Sequence, residues 1–472
     1  MNKILIAVWG NPTGWKEVKY KYSNKEHIAK SPLPLIKDVE NPDKIIIICV
    51  DTLSDDKIDK TNSLNYKDLK STAEKIISEF CAENFGWKPD KIIVGYGFGE
   101  FNKTKFFGNP TDFYYQIFKE LLYSFQEYIS FERKEIEVVF DVSHGINFTI
   151  VLSLNALREI LKILSYAFDV KLKILNSDPF IGRKNPPDPE LNIGRIAKLV
   201  IKCPRKDSPD IELNINIIEY SQILPGLTAY KTQKRAVEFL DGKDAQQHYR
   251  EIENFKLGDE ILVFLSSLIF ATPIFTFNYL PDHSELRKKI DEICSKFEEF
   301  ITISQASKTE IKRRLSFQVG FENLLKAYLF GWILDNLGFK KSNYAMLNQV
   351  KEFTDKIYDE KKFPIENYRI EKEIQKIEEI KSLLSNEYQV YANLIESKSG
   401  EQRSDKKLYT KEIDKRNFFA HAGFEYNTIK LRKNSNDEIE IILNDERNEN
   451  KRKTIRKMAE ELLTDSLTVK ES

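Results

Sequence analysis

The feature that most constrains the fold is an alternation of short apolar runs with longer stretches of helical spacing in the first part of the chain. The runs are KILIAVWG (3–10), KIIIICV (44–50), KIIVGYGFG (91–99), IEVVFDVSHG (136–145) and VKLKILNS (170–177). Strands that are apolar at nearly every position are expected where helices cover both faces of a parallel sheet. Between them, DLKSTAEKIISEFCAENF (68–85), TDFYYQIFKELLYSFQEYI (111–129) and INFTIVLSLNALREILKILSYAF (146–168) space their apolar residues as helices do. The third is apolar around most of its surface, which predicts a buried helix. The alternation predicts an α/β, Rossmann-like sheet.

Ligands of such sheets bind beyond the carboxyl ends of the strands. The first run enters Gly10-Asn11-Pro12-Thr13-Gly14-Trp15, the fourth enters Asp141, Ser143, His144, Gly145 and Asn147, and the fifth ends at Asn176-Ser177-Asp178. Ser143, His144 and the backbone at Gly145 can receive a phosphate at a helix N-terminus. Asn11, Thr13, Asn147, Asn176 and Ser177 offer donors and acceptors to bases and sugars, and Trp15 can stack on a base. The same residues have structural readings: Gly145 can shape a tight turn, and Ser143 or Asn147 can cap a helix. No strand is followed by G-x-G-x-x-G, GYGFG at 95–99 has the wrong spacing, and no G-x-x-x-x-G-K-S/T is present. A dinucleotide fingerprint and a P-loop are thereby excluded.

After the loop GRKNPPDPELNIG (182–194), the runs RIAKLVIKC (195–203) and IELNINIIEY (211–220) flank a polar turn. They predict a hairpin or a late antiparallel edge to the sheet. From Lys231 onward strand signals fade, and helices are expected over 232–253, 257–271, 282–299, 307–336, 342–357, 366–396 and 407–421. The charge alternation of 371–397 reads as a solvated helix face, 427–444 as a short hairpin and 451–463 as a helix with a basic start. The organisation expected is an α/β domain with its late hairpin over 1–225, a helical connector over 226–300 and an all-α domain over 301–472.

Lys plus Arg equals Asp plus Glu at 73 each, so the formal net charge is zero. That excludes a broadly basic coat for nucleic acid and leaves room for a local basic groove. Cys49, Cys81, Cys203 and Cys294 form no C-x-x-C pair. They suggest neither a zinc site nor a disulfide framework, and a reducing cytoplasm fits them. The opening residues lack a signal-peptide pattern. The most apolar later run, ILVFLSSLIFATPIF (261–275), is shorter than a membrane span and contains a proline. No membrane association is expected.

Of the five histidines, His421 stands out by its surroundings, DKRNFFAHAGF (414–424), in which Arg416 precedes it by five residues. On an ideal helix that step rotates by about 140°, so the two side chains do not share a face. They converge where the helix starts or bends, or across a two-fold interface. Arginine binds phosphate through a planar fork, and histidine transfers protons near neutrality. Such a pair suits metal-free RNA cleavage, in which the 2′-hydroxyl attacks the adjacent phosphorus, the 5′-oxygen departs and a 2′,3′-cyclic phosphate remains. On spacing alone, a packed histidine beside a surface arginine is the commoner arrangement.

Taken whole, the chain resembles the CARF–HEPN ribonucleases of type III CRISPR systems. Arg416-Asn417-Phe418-Phe419-Ala420-His421 resembles the HEPN motif, WGNPTGW (9–15) the opening strand and loop of a CARF domain, and DVSHG (141–145) its central-strand motif. The resemblance implies Arg416 and His421 as catalytic residues, with Asn417 as a possible positioner. It implies a ligand pocket at Asn11, Ser143, His144 and Asn176. It also implies a cyclic oligoadenylate activator, most commonly the tetramer, with the hexamer used by some relatives; no cofactor and no metal; a single-stranded RNA substrate; and a homodimer or a larger assembly. Two other readings stay open on the sequence: a nucleotide-responsive nucleic-acid-binding or transcription-regulating protein without nuclease activity, and a structural subunit that recruits a partner.

Overall fold

A computed structural model of the chain describes residues 1–57, 65–178, 212–231, 234–305, 307–399 and 409–468. The main sheet has eight strands, numbered here in chain order: β1 Asn2–Trp9, β2 Val18–Tyr22, β3 Lys25–Ala29, β4 Lys44–Val50, β5 Lys91–Gly95, β6 Glu135–His144, β7 Asp169–Ser177 and β8 Glu212–Ile223. Their spatial order is β3-β2-β8-β7-β6-β1-β4-β5. The five strands from β7 to β5 are all parallel. Strand β8 is late and antiparallel to β7, as expected, but it is not the edge of the sheet, because β2 pairs with its other side. The sheet then continues past it through the β2–β3 hairpin, which follows the first loop of the chain. The run 195–203, the other half of the expected hairpin, lies outside the described residues.

Alternate residues of β1 enter two different cores. Leu5, Ala7 and Trp9 pack with Leu33, Leu35 and Ile36 of helix α1 (Leu33–Glu40) and with Ile77 and Cys81 of helix α2 (Tyr66–Phe85). Ile4, Ile6 and Val8 join the core that holds helix α3 (Thr111–Tyr128) and helix α4 (Asn147–Leu164). Burial of each large aliphatic side chain contributes roughly 1.5–3 kcal/mol relative to exposure. Two-sided burial is therefore why these strands read as unbroken apolar runs.

The core on the α3–α4 side continues without a break into the second half of the chain, through Phe264, Leu325, Tyr328 and Phe330. Helix Val319–Asn336 runs through it and is buried on nearly every side. Its Lys326 is fully buried, held by Glu322 at 2.8 Å and by Glu159 of α4 at 3.0 Å.

The structure changes several of the expected elements. Of the described part of 232–253 only Gly242–Ile252 is helical, after strand Val237–Phe239; of 342–357 only Leu347–Ile357, after strand Tyr344–Met346; and of the described part of 407–421 only Lys415–Ala420. The stretch 307–336 is a helix only from Val319, because strands Thr309–Arg313 and Leu315–Phe317 precede it. Thr309–Arg313 pairs in parallel with Thr104–Phe107, a partner too distant in sequence to leave a local signature. The stretch 366–396 is broken: helix Pro364–Glu379 gives way to a turn at Lys381–Leu383, a strand at Gln389–Val390 and a helix at Tyr391–Ser399. The second half is predominantly helical, as expected, but not all-α. Gln389–Val390, the expected hairpin Ile429–Lys433 and Ile439–Leu443, and Tyr344–Met346 form a four-stranded sheet set among the helices. Among the described residues no helix is long and apolar enough to cross a membrane.

Candidate active site and ligand pocket

The segment around His421 is built on a short helix, Lys415–Ala420. The Asp414 carboxylate caps it by accepting from the Asn417 N–H at 2.7 Å. His421 ends the helix, donating its N–H to the Asn417 carbonyl at 2.9 Å. The chain then turns through Ala422 (φ 49°) and Gly423 (φ 79°). A Cβ on Gly423 would also lie 3.1 Å from Cβ of Thr272, so both conformation and space favour glycine there. Phe418 is buried against Phe275 and Phe419 packs on Phe270, with ring centroids 5.7 and 4.8 Å apart. Arg369 adds a hydrogen bond to the Phe419 carbonyl at 2.6 Å.

Over this support Arg416 and Asn417 are exposed, and Arg416 has no hydrogen-bond or ion-pair partner among the described residues. His421 is 28% exposed, stacks on Tyr426, and places Nδ1 2.8 Å from Oε1 of Glu373, whose side chain is 3% exposed. No hydrogen bond joins Arg416 to His421. The segment therefore offers an exposed guanidinium and an imidazole held on its Nδ1 side by a buried carboxylate. Glu373 and Arg369 lie in or just before the stretch expected to be a solvated face, and Glu373 corrects that reading. It stands on the stripe Ile370, Ile374 and Ile377, all buried. A glutamate in register with an isoleucine stripe was the available signal.

A second site lies at the carboxyl ends of β1, β6 and β7, where a cavity of about 550 Å³ opens. Ser143, His144, Gly145, Asn176 and Ser177 line it, together with Trp15. Asn11, Thr13 and Asn147 are outside its wall. Asn11 accepts from the Thr13 N–H at 3.1 Å and from the Thr13 hydroxyl at 2.7 Å, and Asn147 is exposed in the first turn of α4. The Ser143 hydroxyl ties two strands together, donating to Asp141 at 2.6 Å and accepting from the Ser177 N–H at 2.8 Å. Burial pushes the Asp141 carboxyl up to about 6, opposed by its bonds from Ser143. Burial pushes His144 down to about 4, opposed by a backbone hydrogen bond with Lys30.

His144 packs on Trp15, with ring centroids 4.1 Å apart, and is uncharged at neutral pH. Positive charge in the cavity wall comes instead from Lys16 and Lys30, which the motif reading missed. Lys16 directly follows the recognised loop, and Lys30 directly follows β3. The alternation in VKYKY (18–22), whose Val18, Tyr20 and Tyr22 are buried, was the signal for that hairpin. Neither Ser143 nor Asn147 caps α4: its first turn follows Ile146 with no side-chain cap. Among the described residues no group of three His, Cys, Asp or Glu side chains is placed to hold a metal ion.

Comparison with known proteins finds a family model over a part of each half of the chain. Residues 4–179 match the family model of the CARF domain of CRISPR system endoribonuclease Csx1, and residues 363–447 match that of its HEPN domain. The CRISPR system endoribonuclease Csx1 of Methanocaldococcus jannaschii is 29% identical over 474 residues, covering 93% of this chain and 90% of the relative. Among solved structures, similarity is found to Enterococcus italicus Csm6 bound to cyclic hexa-2'-fluoro-hexa-dAMP (11% identity, 81% of this chain and 85% of that one, TM-score 0.21). Similarity is also found to protein VC1899 from Vibrio cholerae (10% identity, 71% and 67%, TM-score 0.15). With both domain models matched in order and one relative aligned along almost the whole length, the chain belongs to the CARF–HEPN family of CRISPR-system endoribonucleases.

Proposed function

We propose that this chain is a metal-independent endoribonuclease for single-stranded RNA, switched on by a cyclic oligoadenylate, cyclic tetra-adenylate in the first instance. The observation that supports the reading is that one short segment carries both Arg416, exposed and without a partner among the described residues, and a His421 ring held at Nδ1 and partly open to solvent. In this reading residues 1–225 sense, 226–300 connect and 301–472 cut. Arg416 binds the scissile phosphate and offsets charge on the transition state. His421 exchanges a proton with the reacting oxygens, and Asn417 positions the phosphate. The 2′-hydroxyl is the nucleophile. The direct test is product analysis in EDTA: a 2′,3′-cyclic phosphate end is expected, and a single 2′-deoxy substitution at the cleaved linkage should block cutting there.

The activator enters the cavity beside Trp15 and His144. A base stacks on Trp15, Lys16 and Lys30 meet phosphates, and Asn176 reads an edge. A second copy completes both sites. Near the pocket, Ile146 just before α4 is 40% exposed and Val151 in its first turns is 56% exposed, apolar surface that a symmetric partner would cover.

The signal travels along two helices. Helix α4 starts at the pocket and spans about 27 Å at 1.5 Å per residue. At its far end the carbonyls of Ser165 and Phe168 accept from Lys362 Nζ at 3.0 and 2.9 Å. Phe363, next in sequence, packs on Tyr166 with ring centroids 4.8 Å apart. Helix Pro364–Glu379 starts there and carries both Arg369 and Glu373, the two residues that hold the His421 segment. A displacement of α4 on ligand binding reaches His421 through these contacts.

A further inference from the structure

A carboxylate buried among isoleucines is costly unless it is compensated, and replacing such a group with an apolar one often stabilises a fold. Glu373 is in that position, between Ile370, Ile374 and Ile377 on the inner face of helix Pro364–Glu379. Its compensation is lopsided. Oε1 takes both the His421 Nδ1 contact at 2.8 Å and the Lys376 ammonium at 2.6 Å. Oε2 is buried with no partner among the described residues. A residue serving only to join two elements would be satisfied at least as well by an apolar side chain. The geometry is that of a group aimed at one ring nitrogen.

We infer that Glu373 is the positioning residue for His421, setting its tautomer and orientation. A carboxylate offers only acceptors, so the shared hydrogen sits on Nδ1. The lone pair of neutral His421 is then on Nε2, the nitrogen with no partner among the described residues. As the O2′–P bond forms, Nε2 takes the 2′-hydroxyl proton. The P–O5′ bond breaks, the departing 5′-oxygen gains a proton from water, and His421 returns its own to solvent. Throughout, the negative charge of Glu373 faces the imidazolium formed in between. Arg369, one turn earlier on the same helix, fixes the backbone at Phe419, so one rigid element orients both the ring and the helix it ends.

This inference rests on the reading that His421 transfers a proton, and the experiment separates the two. Cleavage of a fluorescent RNA is followed at saturating activator for Glu373→Met, Glu373→Gln, Lys376→Met and His421→Ala. The tautomer of 15N-labelled His421 is read by NMR. Glu373→Met should lower kcat by about 30-fold with KM within twofold, the order of loss that follows removal of the group orienting a metal-bound histidine. It should also mix the two tautomers. Glu373→Gln, whose amide oxygen still accepts from Nδ1–H, should keep the tautomer and lose less. Lys376→Met, which removes the other partner of Glu373, should stay within about threefold of wild type. A Glu373→Met enzyme with wild-type kcat, or one whose loss comes with an unchanged tautomer, would overturn the positioning role while an inactive His421→Ala left the nuclease reading standing. Full activity in His421→Ala would overturn both.

Discussion

Lys362 Nζ lies 2.9 Å from the carbonyl oxygen of Phe168, which ties the residues just before the helix that carries Glu373 to the turn just after α4, the helix that begins beside the candidate pocket. The same ammonium bonds the Ser165 carbonyl and pairs with Asp169 at 3.2 Å. Contacts then connect four features in turn: the cavity wall at Gly145, helix α4, helix Pro364–Glu379 and the ring of His421. They are joined by hydrogen bonds and by one continuous apolar core.

If that series of contacts carries the signal, Lys362→Met should uncouple binding from cutting. Coupling between sites is typically worth about 1–3 kcal/mol. The activator should still bind, with a Kd within a few-fold of wild type, while maximal stimulation of RNA cleavage falls by about tenfold. Calorimetry and a cleavage assay on the same preparation check this.

Trp15 and Lys30 face the cavity from different parts of the chain. Stacking of a base on an aromatic ring is worth about 1–3 kcal/mol. Trp15→Ala should weaken activator binding about tenfold or more, yet leave cleavage at saturating activator within about twofold. Lys30→Ala should weaken binding and flatten its salt dependence. Titration at two ionic strengths distinguishes the two.

The pocket also has a pH signature with two opposing slopes. His144 is depressed from its ordinary 6.5 to about 4, so its contribution is fully present above pH 6.5 and is lost as pH falls toward 4. Asp141 is raised from 3.8 to about 6, so its contribution is present below 3.8 and is lost as pH rises through 6. Each is worth on the order of 3 kcal/mol at most. Urea unfolding at pH 4.5 and 7.5 should show His144→Phe losing less stability than wild type on acidification. Asp141→Asn should gain relative to wild type at pH 7.5.

These predictions draw on parts of the molecule that were unequally legible in the sequence. The five parallel strands and helices α2, α3 and α4 stood out because each is buried on the side its pattern declares, as Ile4, Ile6 and Val8 against Leu5, Ala7 and Trp9 illustrate. Arg416, Asn417 and His421 were visible as a motif, and Ser143, His144 and Asn176 as strand ends. Glu373 was hidden because a helix with many charges looks solvated until its burial is known. Thr309–Arg313 was hidden because its pairing partner, Thr104–Phe107, comes from the other half of the chain. Lys30 and Lys362 were hidden because a single lysine has no pattern, and its meaning comes only from what it reaches.

The proposed dimer makes Val151 a sensitive position. Val151→Glu places a charge where the apolar face of α4 would be covered, and an unpaired buried charge costs several kcal/mol. Light scattering should show a monomer, and RNA cleavage should fall by about 100-fold even with activator present. An unchanged mass would mean that the dimer uses another surface.

The central claim, that ligand at one site turns on Arg416–His421 chemistry at the other, is tested most directly by cleavage of a fluorescent single-stranded RNA in EDTA. The reaction is run without activator, with cyclic tetra-adenylate and with cyclic hexa-adenylate, using wild type and the Arg416→Ala/His421→Ala variant. The account predicts cleavage by wild type that depends on cyclic tetra-adenylate and is absent from the double variant. Equal cleavage by the double variant, or none by a folded and dimeric wild type with either activator, would contradict it.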